Sequence, residues 1–244
     1  MNKSFILSAA LFASSLSVSA QSTPRNQLTP TPPMGWMTWN LFQGDISDKL
    51  IRETADAMVE GGYVDAGYKY IFIDDLWQGG RDVHNNMIPD PKKFPNGIKA
   101  LADYVHSKGM KLGIYSDAAQ LTCGGWTASL GFEEQDARTF ASWGIDYLKY
   151  DYCNAPIDSA TARQRYRTMA DALSKSGRDI ALGICEWGQR QCEEWCEEVG
   201  GQLWRTTYDV RDMWKDVTNE GGMGILDIVN ITSPLSSYAR KGQW

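Results

Sequence analysis

KLGIYSD, residues 111–117, is a short apolar run that ends in aspartate, and YLKYD, residues 147–151, is another. Between them lies FEEQDARTFASW, residues 132–143, which has the apolar spacing of an amphipathic helix and is followed by Gly144. A short buried strand, a helix and a second short buried strand are typical of a unit whose two strands pair in parallel. This stretch therefore predicts an α/β fold.

The same alternation extends in both directions along the chain. The further runs predicted as strands are Met34–Trp39, Tyr68–Asp75, Ile180–Trp187 and Leu203–Asp209. The further stretches predicted as helices are Ser47–Gly61, Gly97–Lys108, Ala160–Ser176, Gln191–Val199 and Asp212–Asn219, and one more helix and a turn are expected within Gly221–Trp244. Asp48, Thr161 and Asp212 lie near predicted helix starts and are candidate caps.

The number of units favours one of two α/β architectures. A doubly wound sheet is the main competitor, but no GxGxxG or GxxxxGK[ST] loop follows the first predicted strand. A closed α/β barrel has eight strands, and the sequence predicts six before it ends at Trp244, where a seventh strand should begin. We therefore expect a (β/α)8 TIM barrel truncated after about six βα units.

Composition limits the functional classes. The 244 residues carry 24 Lys and Arg against 30 Asp and Glu, a net charge of −6, with no basic stripe, so a nucleic-acid partner is not expected. Aromatic residues make up 11% of the chain, ten of them tryptophan. Such a content suits a site that stacks on the flat apolar faces of sugars.

The N-terminus has the pattern of a signal peptide. Lys3 is followed by the apolar run Phe5–Leu16 and by Val18-Ser19-Ala20, a small-x-small cleavage site. We expect residues 1–20 to be removed on export to the periplasm or outside the cell, residues 21–33 to form an extended lead-in, and residues 34–244 to form the catalytic domain. No segment reaches the roughly 20 apolar residues of a membrane span.

The cysteines and histidines offer little for metal or thiol chemistry. The five cysteines are Cys123, Cys153, Cys185, Cys192 and Cys196, an odd number without a CxxC pair. His84 and His106 are the only histidines, so a zinc site or a Cys/His nucleophile pair is hard to build. We expect no metal and no cofactor.

Acidic side chains close the predicted strands at their carboxyl ends, which is the face that holds the active site in α/β barrels. They are Asp74, Asp75, Asp117, Asp151, Glu186 and Asp209. The two-residue period places Lys149 on the strand face of Asp151, and Arg205 on that of Asp209. These cations can keep neighbouring carboxylates ionised; a pair of buried structural salt bridges is the alternative.

Three reaction classes fit such an acidic rim. They are magnesium-assisted chemistry on Asp74, Asp75, Asp151 and Glu186, Schiff-base chemistry on Lys149, and glycoside hydrolysis by two carboxylates. Aromatic residues at or just past strand ends favour the third class, because a metal site has no need of them. They are Trp36, Trp39, Trp77, Tyr115, Trp126 and Trp187.

From Pro33 to Trp244 the chain resembles family 27 glycoside hydrolases, the α-galactosidase and α-N-acetylgalactosaminidase group. The matching motifs are PPMGWMTWN, YIFIDDLW, KLGIYSDAAQLTCGG, GIDYLKYDYCN, GICEWG and LWRTTYDVRD. The resemblance implies a (β/α)8 barrel and retention through a covalent glycosyl-enzyme, with Asp151 as nucleophile and Asp209 as acid/base. It implies sugar contacts from Trp39, Asp74, Asp75, Tyr115, Lys149, Glu186 and Arg205, and a disulfide between Cys123 and Cys153.

The resemblance also bears on substrate. Glu186 in the CEW motif implies terminal α-D-galactosyl residues of oligo- or polysaccharides, and Gln189 should crowd an N-acetyl group. A β-L-arabinopyranosidase and an α-N-acetylgalactosaminidase stay open as alternatives, as do a non-catalytic sugar-binding barrel, a metal-dependent barrel enzyme and an inactive fragment. Family members continue with an Asn-Asp-Pro-Asp segment, two more strands and usually a C-terminal β-sandwich, which we expect to be absent here.

Overall fold

The computed structural model describes residues 24–219 and 221–244. The signal peptide expected at residues 1–20 lies outside this range. Arg25–Gln27 in the lead-in forms a short 3-10 helix. Within the described ranges no helix is both long and apolar enough to cross a membrane.

A parallel sheet forms the centre of the molecule. Its six strands, in spatial order, are β1 (Gly35–Met37), β2 (Tyr70–Phe72), β5 (Lys111–Asp117), β6 (Tyr147–Asp151), β7 (Ala181–Ile184) and β8 (Leu203–Trp204). All five pairings between neighbours are parallel. The two other strands, β3 (Gln78–Arg81) and β4 (Met87–Pro89), form an antiparallel hairpin that was not predicted from the sequence.

The helices follow the strands along the chain. They are α1 (Trp39–Phe42), α2 (Asp48–Glu60), α3 (Gly97–Ser107), α4 (Glu133–Trp143), α5 (Ser159–Ser174) and α6 (Ile225–Thr232). The expected α/β alternation of a partial barrel is thereby confirmed. The edge strands β1 and β8 do not pair with each other in the described chain, so the sheet is open.

Two predicted helix caps are wrong by one and three residues. The Ser47 side chain, not that of Asp48, accepts a hydrogen bond at the start of α2, from the Leu50 N–H at 3.2 Å. At the start of α5 the Asp158 side chain accepts from the Thr161 N–H at 2.8 Å, so Thr161 is the capped donor rather than the cap. Both caps satisfy N–H groups that the first helical turn leaves without a partner.

Two predicted helices are also wrong. Within Gln191–Val199 only Cys192–Glu194 is helical, as a 3-10 turn, because Arg190 and Gln191 both have φ above +50°. The segment Asp212–Asn219 forms no helix, so Asp212 caps nothing. Instead, Val217 in this segment and Val210 just before it each form a β-bridge with Met223.

The hydrophobic core lies between the sheet and the helices. Ile71 lies opposite Leu112 in the register of the sheet, and Leu148 lies between Ile114 and Leu182; all five side chains are at most 1% exposed. Burying such a side chain stabilises the fold by about 1.5–3 kcal/mol. Successive strand residues point to opposite faces, so Tyr147, Lys149 and Asp151 lie on the inner face. Gly183 stands opposite Lys149 and lies against the Tyr147 side chain, and glycine is required there because a Cβ would overlap the Tyr147 hydroxyl.

Candidate active site

A cavity of about 320 Å³ opens at the carboxyl ends of the strands. Seven residues expected from the sequence line it: Trp39, Asp74, Asp75, Tyr115, Lys149, Asp151 and Asp209. The other lining residues are Cys123, Cys153, Trp187, Gln189 and Tyr208. The structure therefore brings together both expected catalytic carboxyls and five of the seven expected sugar-contacting residues.

Asp151 is the last residue of β6, and its carboxyl is nearly buried, at 4% exposure. One oxygen accepts from the Tyr152 N–H at 3.0 Å, and the other accepts from the Tyr115 hydroxyl at 3.1 Å. Burial raises the pKa of Asp151, while Lys149 and the Tyr152 N–H oppose the rise. The carboxyl is thus desolvated and held in one orientation at the floor of the cavity.

Lys149 pairs with a different carboxylate from the one expected. Its Nζ lies 2.7 Å from an Asp74 oxygen, and this ion pair is mostly buried. Burial alone would lower the pKa of Lys149, but Asp74 and Asp151 raise it above its ordinary value. Lys149 therefore acts on Asp151 through space, and its direct hydrogen bond holds Asp74.

Asp74 and Asp75 follow β2, and the backbone fixes both carboxyls. The Asp74 N–H donates to the Thr38 hydroxyl at 3.0 Å, and Asp74 accepts from the Asp75 N–H at 2.8 Å. Asp75 accepts from the N–H groups of Leu76 at 2.7 Å and Gly124 at 2.8 Å. Because their lone pairs are only partly used, both carboxyls can still accept hydrogen bonds from sugar hydroxyls.

Tyr115 connects three parts of the cavity. Its side chain is 1% exposed, its hydroxyl donates to Asp151, and the Lys149 Nζ lies 5.2 Å from its ring centre. Burial, and then Asp151, raise the pKa of Tyr115 well above its usual value. Tyr115 is therefore a neutral donor to Asp151 over the whole physiological range.

Asp209 lies in a loop rather than in a strand. The run Leu203–Asp209 was expected to be extended, but β8 ends at Trp204. Arg205 donates to an Asp209 oxygen at 2.8 Å and to the Thr207 carbonyl at 2.9 Å. Asp209 is half-exposed, whereas Asp151 is buried. Arg205 itself lines an adjoining cavity of about 370 Å³ and not the one that holds Asp151.

Glu186 is placed differently from its expected role. It is fully buried, makes an ion pair with Arg190, and is not among the residues that line the cavity. Burial raises the pKa of Glu186 to about 7, although Arg190 opposes the rise. The positive φ of Trp187 and Gly188 turns the chain directly after Glu186, so that Trp187 and Gln189 face the cavity instead.

The expected aromatic platforms divide between cavity and core. Trp39, Tyr115 and Trp187 line the cavity. Trp77 is fully buried in the core, where its indole N–H donates to the Tyr115 carbonyl at 2.9 Å, so its expected place at the rim is wrong. Trp36 also packs against the core, and Trp126 is exposed.

Two contacts at this end of the sheet were not predicted. Arg190, the partner of Glu186, follows it by four residues in a segment that is not helical, so helical charge spacing does not predict the pair. Gln189 donates to the Tyr208 hydroxyl at 2.5 Å and so joins the loops after β7 and β8. No sequence pattern marks Tyr208, because the contact depends on how the two loops meet.

Cys123 and Cys153 face each other beside Asp151. Their Cα atoms are 5.0 Å apart, within the range that a disulfide spans, and their sulfur atoms are at bonding distance. Cys185, Cys192 and Cys196 are buried free cysteines. Among the described residues, the group close enough to hold a metal consists of Asp117, Asp151 and these two paired cysteines. Sulfur atoms at bonding distance from each other are not free to serve as thiolate ligands, so the group fits a metal poorly.

Comparison with known proteins gives consistent matches. The family model for alpha galactosidase A matches residues 31–244. Alpha-galactosidase A of Cellvibrio japonicus is 47% identical over 248 residues, which cover all of this chain and 61% of that protein. Alpha-galactosidase of Coffea arabica is 55% identical over 196 residues, covering 80% of this chain and 51% of that protein.

A solved structure agrees in fold. The structure of the Saccharomyces cerevisiae alpha-galactosidase with raffinose superimposes with a TM-score of 0.86 at 36% identity, covering 91% of this chain and 53% of that one. The chain thus spans about half to three fifths of the length of the relatives it matches.

Proposed function

Because the chain belongs to the alpha galactosidase A family, we propose that it is the major part of the catalytic domain of a retaining α-galactosidase. The observation that carries the proposal is the joint presence of Asp151 and Asp209 at one cavity, on separate elements of the sheet rim. Two carboxyls that flank one glycosidic bond are what retaining hydrolysis requires.

In the first step the Asp151 carboxylate attacks the anomeric carbon, and the bond from that carbon to the leaving oxygen breaks. Asp209 gives its proton to the leaving oxygen, which departs as an alcohol. In the second step Asp209 takes a proton from water, and that water attacks the anomeric carbon. The ester bond to Asp151 breaks, which restores the carboxylate and leaves Asp209 protonated as at the start.

The environments of the two carboxyls suit these roles. Tyr115 and the Tyr152 N–H each donate to a different oxygen of Asp151 and so orient the carboxylate, whose remaining lone pairs are free to attack. Asp209 is half-exposed and so has access to the leaving group and to water. Its bond to Arg205 fixes its direction.

We propose that the sugar is a terminal α-D-galactosyl residue of an oligo- or polysaccharide. Trp39 offers a flat apolar face, while Asp74, Asp75 and Lys149 offer acceptors and a donor for hydroxyls. Gln189 lines the cavity where the family's selection of the 2-substituent is expected, and it supports a free hydroxyl over an N-acetyl group. The raffinose in the yeast relative supports an oligosaccharide substrate.

The remaining expectations belong to the same proposal. The signal peptide over residues 1–20 implies export, and export permits the disulfide between Cys123 and Cys153. Residues 34–244 then form the catalytic domain.

The stereochemical course tests the proposal. The full-length gene product is mixed with 4-nitrophenyl α-D-galactoside, and the anomeric protons of the released sugar are followed by NMR. The α-anomer of galactose should form first and mutarotate later, whereas first formation of the β-anomer, or no hydrolysis, overturns the proposal.

Asp209→Ala tests the acid/base role. This variant should lose far more activity on an oligosaccharide than on 2,4-dinitrophenyl α-D-galactoside in the glycosylation step, because a good leaving group needs no proton. Equal losses on both substrates contradict the role.

A further inference from the structure

Asp117 is a buried carboxyl that the proposed mechanism does not use. It is the last residue of β5, stands opposite Asp151 in the sheet register, and is 0% exposed. It is not among the residues that line the cavity. Asp117 can therefore affect a reaction at Asp151 through its charge or through the groups that it holds, but not by touching a substrate in the cavity.

Two hydrogen bonds connect this end of β5 to the backbone around Asp151. One oxygen of Asp117 accepts from the N–H of Cys153, two residues after Asp151, at 2.8 Å. The N–H of Ala118, the next residue after Asp117, donates to the carbonyl of Asp151 at 2.9 Å. The backbone that directs the Asp151 side chain is thus held at both ends, and the side chain of Asp117 supplies one of the two attachments.

The surroundings of Asp117 disfavour a charge. Its second oxygen has no hydrogen-bond partner, and its carboxyl makes no ion pair, among residues 24–219 and 221–244. Burial, and then the charge of Asp151, raise the pKa of Asp117 to about 8. The surrounding titratable and charged groups are Tyr115 on β5, Tyr150 and Asp151 on β6, Asp75 after β2, Glu133 and Asp136 on α4 and Arg165 on α5.

The cation in this set does not neutralise Asp117. The Arg165 guanidinium donates to the Ala118 carbonyl at 2.6 Å, and Lys149, on the neighbouring strand, bonds to Asp74. The Asp117 carboxyl has backbone N–H donors but no contacting cation, and a buried carboxyl of this kind is more stable neutral than charged.

We propose that Asp117 is a positioning residue: its carboxyl, uncharged while the enzyme works, fixes the backbone at Cys153 and thereby directs the Asp151 carboxylate at the substrate. This inference rests on the proposed function, since it assigns Asp117 a part in the same reaction. Neutrality matters because a second negative charge beside Asp151 would disfavour its release as a carboxylate when the covalent intermediate is hydrolysed.

Two variants of the full-length gene product, Asp117→Asn and Asp117→Ala, distinguish positioning by a neutral Asp117 carboxyl from a role that needs its negative charge. Asparagine keeps a neutral acceptor for the Cys153 N–H, so kcat of Asp117→Asn on 4-nitrophenyl α-D-galactoside should stay within about threefold of the parent. Alanine offers no acceptor, so Asp117→Ala should lower kcat by about tenfold or more, with little change in KM. A loss in the asparagine variant as large as that expected for alanine overturns the proposal, whether or not the alanine variant folds.

The fall of kcat/KM at low pH, which is the acid limb of its pH profile, gives a second readout. If Asp117 is already neutral, Asp117→Asn leaves the acid limb in place. If Asp117 is ionised in the parent, removing its charge should lower the pKa of Asp151 and move the limb down by about one pH unit or more. Such a shift contradicts the proposal. Asp136→Asn is the matched control, because Asp136 is equally buried but pairs with Arg81, away from the cavity.

A measurement that needs no activity keeps this inference separate from the proposed function. Carbon-13 NMR of labelled aspartate carboxyls, with the Asp117 signal assigned by its loss in Asp117→Asn, should show Asp117 protonated at pH 6. If it is protonated but the parent hydrolyses no galactoside, the proposed function fails and the neutral state stands. If it is ionised at pH 6, the inference fails, whatever the activity.

Discussion

Lys149 donates to Asp74 at 2.7 Å, although it stands on the same strand face as Asp151 and only two residues before it. One cation thus connects two carboxyls of the cavity. It pairs with Asp74, which is proposed to bind sugar hydroxyls, and its charge opposes the effect of burial on the pKa of Asp151, the proposed nucleophile.

Replacement of Lys149 tests this connection. Lys149→Met leaves the Asp74 carboxylate buried at 3% exposure without its cation. Breaking such a pair from one side costs about 3–5 kcal/mol of unfolding free energy. Urea unfolding measures the loss, with Lys111→Met on the exposed start of β5 as control, for which about 0.5 kcal/mol or less is expected. Equal losses in both variants contradict the assigned pairing.

The pH dependence of activity should report the raised pKa of Asp151. Asp151 must be ionised to attack, so kcat/KM on an activated galactoside should fall as the pH drops through a pKa above the ordinary aspartate value of about 3.9. Tyr115→Phe removes a donor to the charged form and should move this acid limb to still higher pH. An acid limb at or below the ordinary aspartate value argues against this account of Asp151.

Stability should depend on pH through Asp117. The folded form holds its proton up to a pH of about 8, whereas the unfolded chain loses it near 3.9, so between these values the native state binds the extra proton. The unfolding free energy of the parent should therefore fall with rising pH, relative to Asp117→Asn, by up to about 1.4 kcal/mol per pH unit. Parallel stability curves for the two proteins between pH 4 and 8 contradict this expectation.

The pair Cys123 and Cys153 should stabilise the fold. The bond closes a loop of 30 residues, and the chain-entropy relation gives about 3–4 kcal/mol for that length. The double variant Cys123→Ser, Cys153→Ser should unfold at a correspondingly lower urea concentration in the absence of reductant. With excess reductant the parent should approach the variant. If the parent is as stable as the variant and its stability does not change with reductant, the disulfide is excluded.

The sequence predicted the elements whose pattern is local. The bounds of β5 and β6 agree with the predicted runs residue for residue, because each is a buried run ended by an aspartate. Five of the expected residues line the cavity because they lie at or near the ends of adjacent strands. They are Asp74, Asp75, Tyr115, Lys149 and Asp151. The resemblance to family 27 glycoside hydrolases is also confirmed.

The features that sequence reasoning missed depend on contacts between distant segments. Glu186 does not line the cavity because the backbone turns at Trp187, and a positive φ at a tryptophan has no sequence signature. Lys149 pairs with Asp74 across 75 residues, whereas period-two reasoning considered only its own strand. The hairpin of β3 and β4 was missed because its strands contain glycine and proline, which strand patterns penalise.

The central claim is that Asp151 is the nucleophile, and covalent trapping tests it most directly. The full-length gene product is incubated with 5-fluoro-α-D-galactosyl fluoride, a substrate whose second step is slow, and then digested and analysed by mass spectrometry. The account predicts one fluorogalactosyl group on the Asp151 carboxyl, and none in Asp151→Ala. A label on any other residue, or turnover by Asp151→Ala at the parent rate, would contradict it.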